Sequence, residues 1–322
     1  MSNVFVRALL ATIALSIGLA NTTSASAQEY PTAGKPIRIV VPFTAGGSSD
    51  FVARFLKSYG WDLTKVMGDY RYPVPAALRS LDDPALLDQF HAVDLDAPCF
   101  AEQLICLKAL RASMGAEFPF LETGFDPYQS ILRNIGRDQE ANLWTYKDAT
   151  LRALDHACDS ICAYVRAIKK LGIEGYFYST NAANPNGQPR GASTDVYETF
   201  LRPYDLRILK EAEGVVRVLH VHGTGLDLER VTDYPCEVIN LSDRLPGNPT
   251  LRELRQWTGK CLMGGLDESK FADMSLTAIA AQVDDAIAQA GREHFILAPG
   301  CTIPSFSPKR SLMFLRECAA RA

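Results

Sequence analysis

The chain has no excess of positive charge and no basic stripe. Its 33 lysines and arginines are outnumbered by 37 aspartates and glutamates, for a net charge of −4 over 322 residues. Nothing in it marks a polyanion partner, and nucleic-acid binding is excluded as a function class. Past residue 27 no apolar run approaches the roughly 18 residues that a membrane-spanning helix needs. No cysteine follows the amino-terminal apolar stretch, which argues against a lipoprotein anchor there. Apolar residues themselves are not scarce. They make up 47% of the chain against 22% charged, enough for a sizeable core and too many for a disordered chain.

What is present begins with a segment that reads as a secretory signal over residues 1–27. Arg7 is followed by an apolar stretch from Ala8 to Ala20 and by Ala25-Ser26-Ala27 ahead of Gln28. Used as such, it would direct the chain to the periplasm. The eight cysteines point the other way. Cys261 sits inside the apolar run Cys261-Leu262-Met263, where a reduced thiol behaves as a small hydrophobe, so the body reads as cytoplasmic. Cys158 and Cys162, four apart in a helical pattern, share one face.

Periodicity divides the chain into short apolar strands and amphipathic helices. Strand-like runs fall at 61–67, 117–123, 174–180, 215–222, 236–241, 260–266 and 294–300. Helical patterns separate them, among them 194–213, 250–258 and 276–291. For the last of these, Ser275 is placed to cap the amino end and Gly291 lies at the stop. Strands alternating with helices imply an α/β fold with a parallel sheet.

The most specific chemistry lies in His220-Val221-His222-Gly223 and the distant Gly300-Cys301. On a strand, positions i and i+2 face the same way, so both imidazoles point to one side. Cys301 ends a second apolar run, and parallel strands would bring its sulfur to the same rim. Two histidines at a strand end are also common as hydrogen-bonded rim residues. Three protein donors with a fourth position open form the pattern of a catalytic rather than a structural zinc. Asp243, in Asn240-Leu241-Ser242-Asp243-Arg244, is placed either to orient a ligand histidine or act as acid/base, or to cap a loop paired with Arg244.

Two resemblances split the chain. Tyr30-Pro31, Lys35-Pro36-Ile37-Arg38-Ile39-Val40-Val41-Pro42-Phe43 and Ala45-Gly46-Gly47-Ser48-Ser49-Asp50 resemble the mature start of periplasmic receptors of the tripartite tricarboxylate transporter family. That likeness implies carboxylate binding by a segment spanning 28–58. From about Tyr59 to the carboxyl end the chain resembles the uroporphyrinogen decarboxylase superfamily, in particular its zinc-site methyltransferase branch. The carrying residues are Gly60-Trp61-Asp62-Leu63, Glu122-Thr123-Gly124-Phe125-Asp126-Pro127, Gly175-Tyr176-Phe177-Tyr178-Ser179-Thr180-Asn181, the His220–Gly223 strand end, Asn240–Arg244, Gly264-Gly265-Leu266-Asp267 and Ala298-Pro299-Gly300-Cys301.

This second resemblance implies a (β/α)8 TIM barrel over 59–322. Seven strands do not close such a barrel, so the receptor-like run 37–43 is expected to stand in as an atypical first strand. The resemblance also implies zinc at His220, His222 and Cys301, a small-molecule substrate, and a corrinoid protein or methylated small molecule as methyl donor. His222 stands where that branch has a cysteine, leaving a shell of two nitrogens and one sulfur. The decarboxylase reading of the same superfamily needs no metal. Ser179 matches a decarboxylase site residue, but the arginine-containing amino-terminal segment of true decarboxylases is absent, and Cys301 stands where they have a histidine. Asp243 and Ser179 are the expected catalytic residues.

Overall fold

Six parallel strands follow one another across a single sheet in the order in which they occur along the chain. They are β1 (Leu121–Phe125), β2 (Gly175–Thr180), β3 (Val216–Val221), β4 (Val238–Asn240), β5 (Cys261–Leu266) and β6 (Phe295–Pro299). An open doubly wound sheet reverses its strand order at a switch point. Here there is no reversal, which is the order of a β/α barrel. The computed structural model describes residues 81–321 apart from 93, 97, 117 and 305, all within the unit Pro42–Ala322.

Six of the seven strands expected from periodicity are therefore in place, each within a few residues of its expected span. The seventh, at 61–67, and the run 37–43 expected to stand in as a first strand lie outside the described residues. So do the signal-like segment, the receptor-like segment and the junction at residue 59.

The connecting helices are α1 (Pro98–Met114), α2 (Pro127–Ile135), α3 (Glu140–Thr145), α4 (Lys147–Lys170), α5 (194–211), α6 (Leu251–Trp257), α7 (Leu276–Ala290) and α8 (Lys309–Arg321). Helix α5 contains one wide turn at Tyr197–Leu201. Its starts are written in the local sequence. Asp126 accepts the Gln129 N–H at 2.6 Å with Pro127 at the first helical position of α2. Thr250 and Glu253 form a reciprocal capping box at α6. Ser275 caps α7 through the Ala278 N–H, and Gly291 ends it at φ 79°, as its sequence required. Among the described residues no helix is long and apolar enough to cross a membrane.

The long helix α4 buries Leu154, Cys158, Ile161, Cys162, Val165 and Ile168, spaced three and four apart as one stripe on the sheet requires. Fully burying each of its large aliphatic side chains contributes about 1.5–3 kcal/mol. Cys158 and Cys162 do share that face, with their sulfurs 4.0 Å apart. They are part of the core packing.

Along each strand, alternate residues face opposite sides. On β2, Tyr176 and Tyr178 are fully buried, whereas Phe177 and Ser179 line a cavity on the other side of the strand. Tyr178 does not line that cavity. Its hydroxyl instead donates to the carboxylate of Asp205 on α5 at 2.6 Å, the same period-two rule sending it away from the cavity.

Candidate metal centre

The cavity has a volume of about 450 Å³ and is built from the inward-facing positions of all six strands. β1 contributes Leu121, Thr123 and Phe125, and β2 contributes Phe177 and Ser179. His220 comes from β3, with His222 just beyond its end. Asn240 comes from β4, Met263 from β5, and Pro299 and Cys301 from β6 and the residues after it. The strand register sets Ser179 beside His220 and His220 beside Asn240. Residues at the carboxyl ends of neighbouring strands thus meet on one surface, the place where β/α barrels carry their reacting groups.

His220, His222 and Cys301 meet there. One donor atom from each lies within 4.8 Å of the others, and the Cys301 sulfur is 3.5 Å from His222 Nδ1. Two donors on a tetrahedral zinc, with Zn–N about 2.0–2.1 Å and Zn–S about 2.3 Å, stand about 3.6 Å apart. The pair already has that separation, so the donors fit such an ion.

His220 is 3% exposed, and its Nδ1 is 2.6 Å from Asn240 Oδ1. That contact makes Nδ1 the protonated nitrogen and leaves Nε2 with its lone pair free for a metal. Asn240 is itself held, its amide donating to the Met263 carbonyl at 2.8 Å. Burial pushes the His220 pKa down to about 4, with the Asn240 contact opposing. Burial likewise takes His222 to about 4, helped by His220 and by Arg190, Arg133 and Arg137. Both imidazoles are neutral at physiological pH, the state a metal requires. Burial raises the Cys301 thiol pKa.

The other sequence candidates are distributed differently. Ser179 is buried on the cavity wall. Asp243 is not among the lining residues. Its Oδ1 accepts the Gly265 N–H at 2.7 Å and its Oδ2 lies 3.4 Å from Arg244 Nε, so it ties the end of β4 to β5. The orienting group on the histidine is Asn240, three residues earlier and on the inward face. Sequence reading missed this, although the period-two alternation of 236–241 carries the signal. Arg133, Arg190 and Gln129, which also line the cavity, were not singled out either. They come from a helix and a loop, where no strand pattern points inward.

Packing explains why a glycine precedes Cys301. A Cβ there would lie 2.3 Å from the Ser242 Cα and 2.8 Å from the Leu241 carbonyl oxygen, both backbone atoms that cannot swing aside. Gly300→Ala is expected to push the 300–301 segment off β4. It should destabilise the chain by about 1–3 kcal/mol, the usual cost of overpacking, and weaken metal uptake at the same time. Urea unfolding together with a metal titration checks both.

The comparisons with known proteins agree with this architecture. Residues 135–322 match the model of the uroporphyrinogen decarboxylase (URO-D) family. That is more than half of the chain, and the chain belongs to this family. Among solved structures it is similar to a methyltransferase from Methanosarcina mazei, with a TM-score of 0.61 at 20% identity over 71% of this chain and 67% of that one. A putative vitamin-B12-independent methionine synthase from Listeria monocytogenes gives a TM-score of 0.48 at 14% identity, covering 68% of this chain and 69% of that one. A B12-independent methionine synthase from Shewanella sp. W3-18-1 gives 0.49 at 12% identity, covering 68% and 66%. No curated protein matches the sequence. None of these findings supports the receptor resemblance of residues 30–54.

Proposed function

We propose that the chain is an enzyme that holds zinc through His220, His222 and Cys301 and transfers a methyl group to a thiol or another small nucleophile. The donor in this reading is a corrinoid protein or a methylated small molecule. What carries it is the convergence of two strand-end imidazoles and one thiol on the wall of a cavity of about 450 Å³, large enough for a small substrate. The likeness to a structure titled a methyltransferase supports it.

When bound, zinc would supply Lewis acidity to a substrate thiol, and a shell of two neutral imidazoles and one thiolate leaves it more acidic than a two-thiolate shell would. The protein's own residues do the rest. Asn240 fixes the tautomer and ring plane of His220. Phe177, Met263 and Leu121 give the cavity apolar walls, which exclude water from the reacting atoms. Ser179, beside His220 in the register, offers a hydroxyl to the substrate. Asp243 serves by holding the rim through Gly265 and Arg244.

Elemental analysis of the purified full chain tests the reading, alongside the ultraviolet absorbance of thiolate from an added thiol at neutral pH. About one zinc per chain is expected, with thiol ionisation in the zinc-loaded protein and none in the metal-free protein. A folded chain that takes up no zinc would sink the proposal. The weight would then pass to a metal-free decarboxylase, which the family match and Ser179 on the cavity wall favour.

A further inference from the structure

We infer that Asn184 is a positioning residue for the metal centre: its side-chain amide holds the backbone of His222 and so sets where that imidazole meets Cys301. The inference rests on the metal-site reading and adds to it a residue outside both the donor set and the cavity wall.

The two histidines are held in different ways. His220 lies within β3, in register with Ser179 on one side and Asn240 on the other, and Asn240 also fixes its ring. His222 comes after Val221, where β3 ends, and past the last residue that pairs with β4. Its Nδ1 faces the Cys301 sulfur at 3.5 Å, and no other hydrogen bond reaches the imidazole among the described residues. The direction of this ligand is therefore set by its backbone. The His222 N–H donates to the Thr180 carbonyl at 3.3 Å, at the end of β2. Its carbonyl accepts from Asn184 Nδ2 at 2.7 Å.

Asn184 is fully buried, and its own backbone is fixed. Its N–H donates to the Asn181 carbonyl at 2.9 Å, and its carbonyl accepts from the Ala192 N–H at 3.0 Å and from Arg230 Nη1 at 3.2 Å. The side chain is satisfied unevenly. Nδ2 serves His222 and lies 3.4 Å from Asn181 Oδ1, while the buried Oδ1 has no hydrogen-bond partner among the described residues. Buried amides normally pair at both ends, because an unpaired buried acceptor gives up its hydration for nothing. Turning the amide over would set oxygen against oxygen at His222. The fold thus carries an unpaired oxygen to keep a donor on this one carbonyl. Gly223 makes the room: it sits at φ 138°, and a Cβ there would lie 2.2 Å from Asn184 Oδ1. Any slide of the His222 backbone moves Nδ1 off the spacing from Cys301 that a tetrahedral ion needs.

Cobalt(II) in place of zinc on the full chain makes the site visible through its d–d bands and the sulfur-to-metal charge-transfer band of Cys301. Asn184→Leu keeps the size of the side chain and removes the donor, and Asn184→Asp exchanges the donor for an oxygen. Both are expected to weaken cobalt binding about 10–100-fold, the range for a group that orients a ligand. Both should also lower the d–d intensity of a tetrahedral site while the Cys301 band remains. Thr250→Ala, which removes the cap of α6, lowers stability away from the donors and should leave affinity and spectrum unchanged. Wild-type affinity and spectrum in both Asn184 variants overturn the inference, as does an equal loss of binding in Thr250→Ala. Should Asn184→Leu not fold, Asn184→Asp decides alone.

A wild type that takes up neither zinc nor cobalt sinks the functional reading separately. The positioning is then read on the metal-free chain by nuclear magnetic resonance of histidine-labelled protein. Of the five histidines, His222, assigned through His222→Gln, should show the largest ring shift in Asn184→Leu or, if that variant does not fold, in Asn184→Asp. A shift no larger at His222 than elsewhere overturns the inference.

Discussion

Cys301→Ala is expected to lower zinc affinity on the order of 10³-fold, because three or four ligands share the roughly 10–16 kcal/mol of a protein zinc site. His220→Ala should do the same. Asn240→Leu should cost less, about 10–100-fold, the usual penalty for removing the group that orients a ligand imidazole. It keeps His220 but frees the ring to turn and to hold either nitrogen protonated. Ser179→Ala, on the same wall but outside the donor set, should leave affinity unchanged. Competition against a chromophoric chelator measures all four. The order matters more than any single value. A Cys301→Ala protein that holds zinc as well as the wild type would place the ion elsewhere and remove the basis of the proposed chemistry.

The second large effect lies behind the site. Asp205 on α5 is fully buried and accepts three hydroxyl hydrogen bonds, from Tyr178 at 2.6 Å, Tyr234 at 2.9 Å and Thr180 at 3.0 Å. Asp205→Ala leaves these three donors without their acceptor and opens a void among buried rings. A loss of about 3–5 kcal/mol is expected, read as a lower urea midpoint with an unchanged slope.

The same residue has a pH signature. Burial and the neighbouring Asp126 hold its carboxyl well above the usual range, with the three hydroxyls opposing. A pKa raised in the folded state means that the acid form is favoured by folding. Its contribution is complete below the unfolded carboxylate pKa and is lost as pH rises through the folded value. The stability of the wild type relative to Asp205→Asn should therefore fall with rising pH across that window. Urea unfolding at several pH values checks the sign, and a difference that grows with pH would contradict it.

Much of the site was legible because strand periodicity is a local property. His220 and His222 two apart at the end of an apolar run must face one way, and Cys301 ends a comparable run. A parallel barrel brings such ends together whatever lies between them in the chain. Tyr178 obeys the same rule: its neighbours Phe177 and Ser179 face the cavity, so it faces away from it. Asn240 was within reach of the same reasoning, yet Asp243 attracted attention because carboxylates are the usual histidine partners. The loop after β4 turns Asp243 toward Gly265 and Arg244 instead.

The sequence by itself determined the α/β rhythm, the helix starts at Asp126, Thr250 and Ser275, and the inward direction of the two histidines, because each depends on residues within a few positions of one another. Only the tertiary structure decided that Asn240 orients His220, that Gly300 must be small to lie against Ser242, and that Arg133 and Arg190 share a cavity with His220, His222 and Cys301. Those are contacts between segments far apart in the chain, set by strand register. No local pattern encodes a distance of that kind.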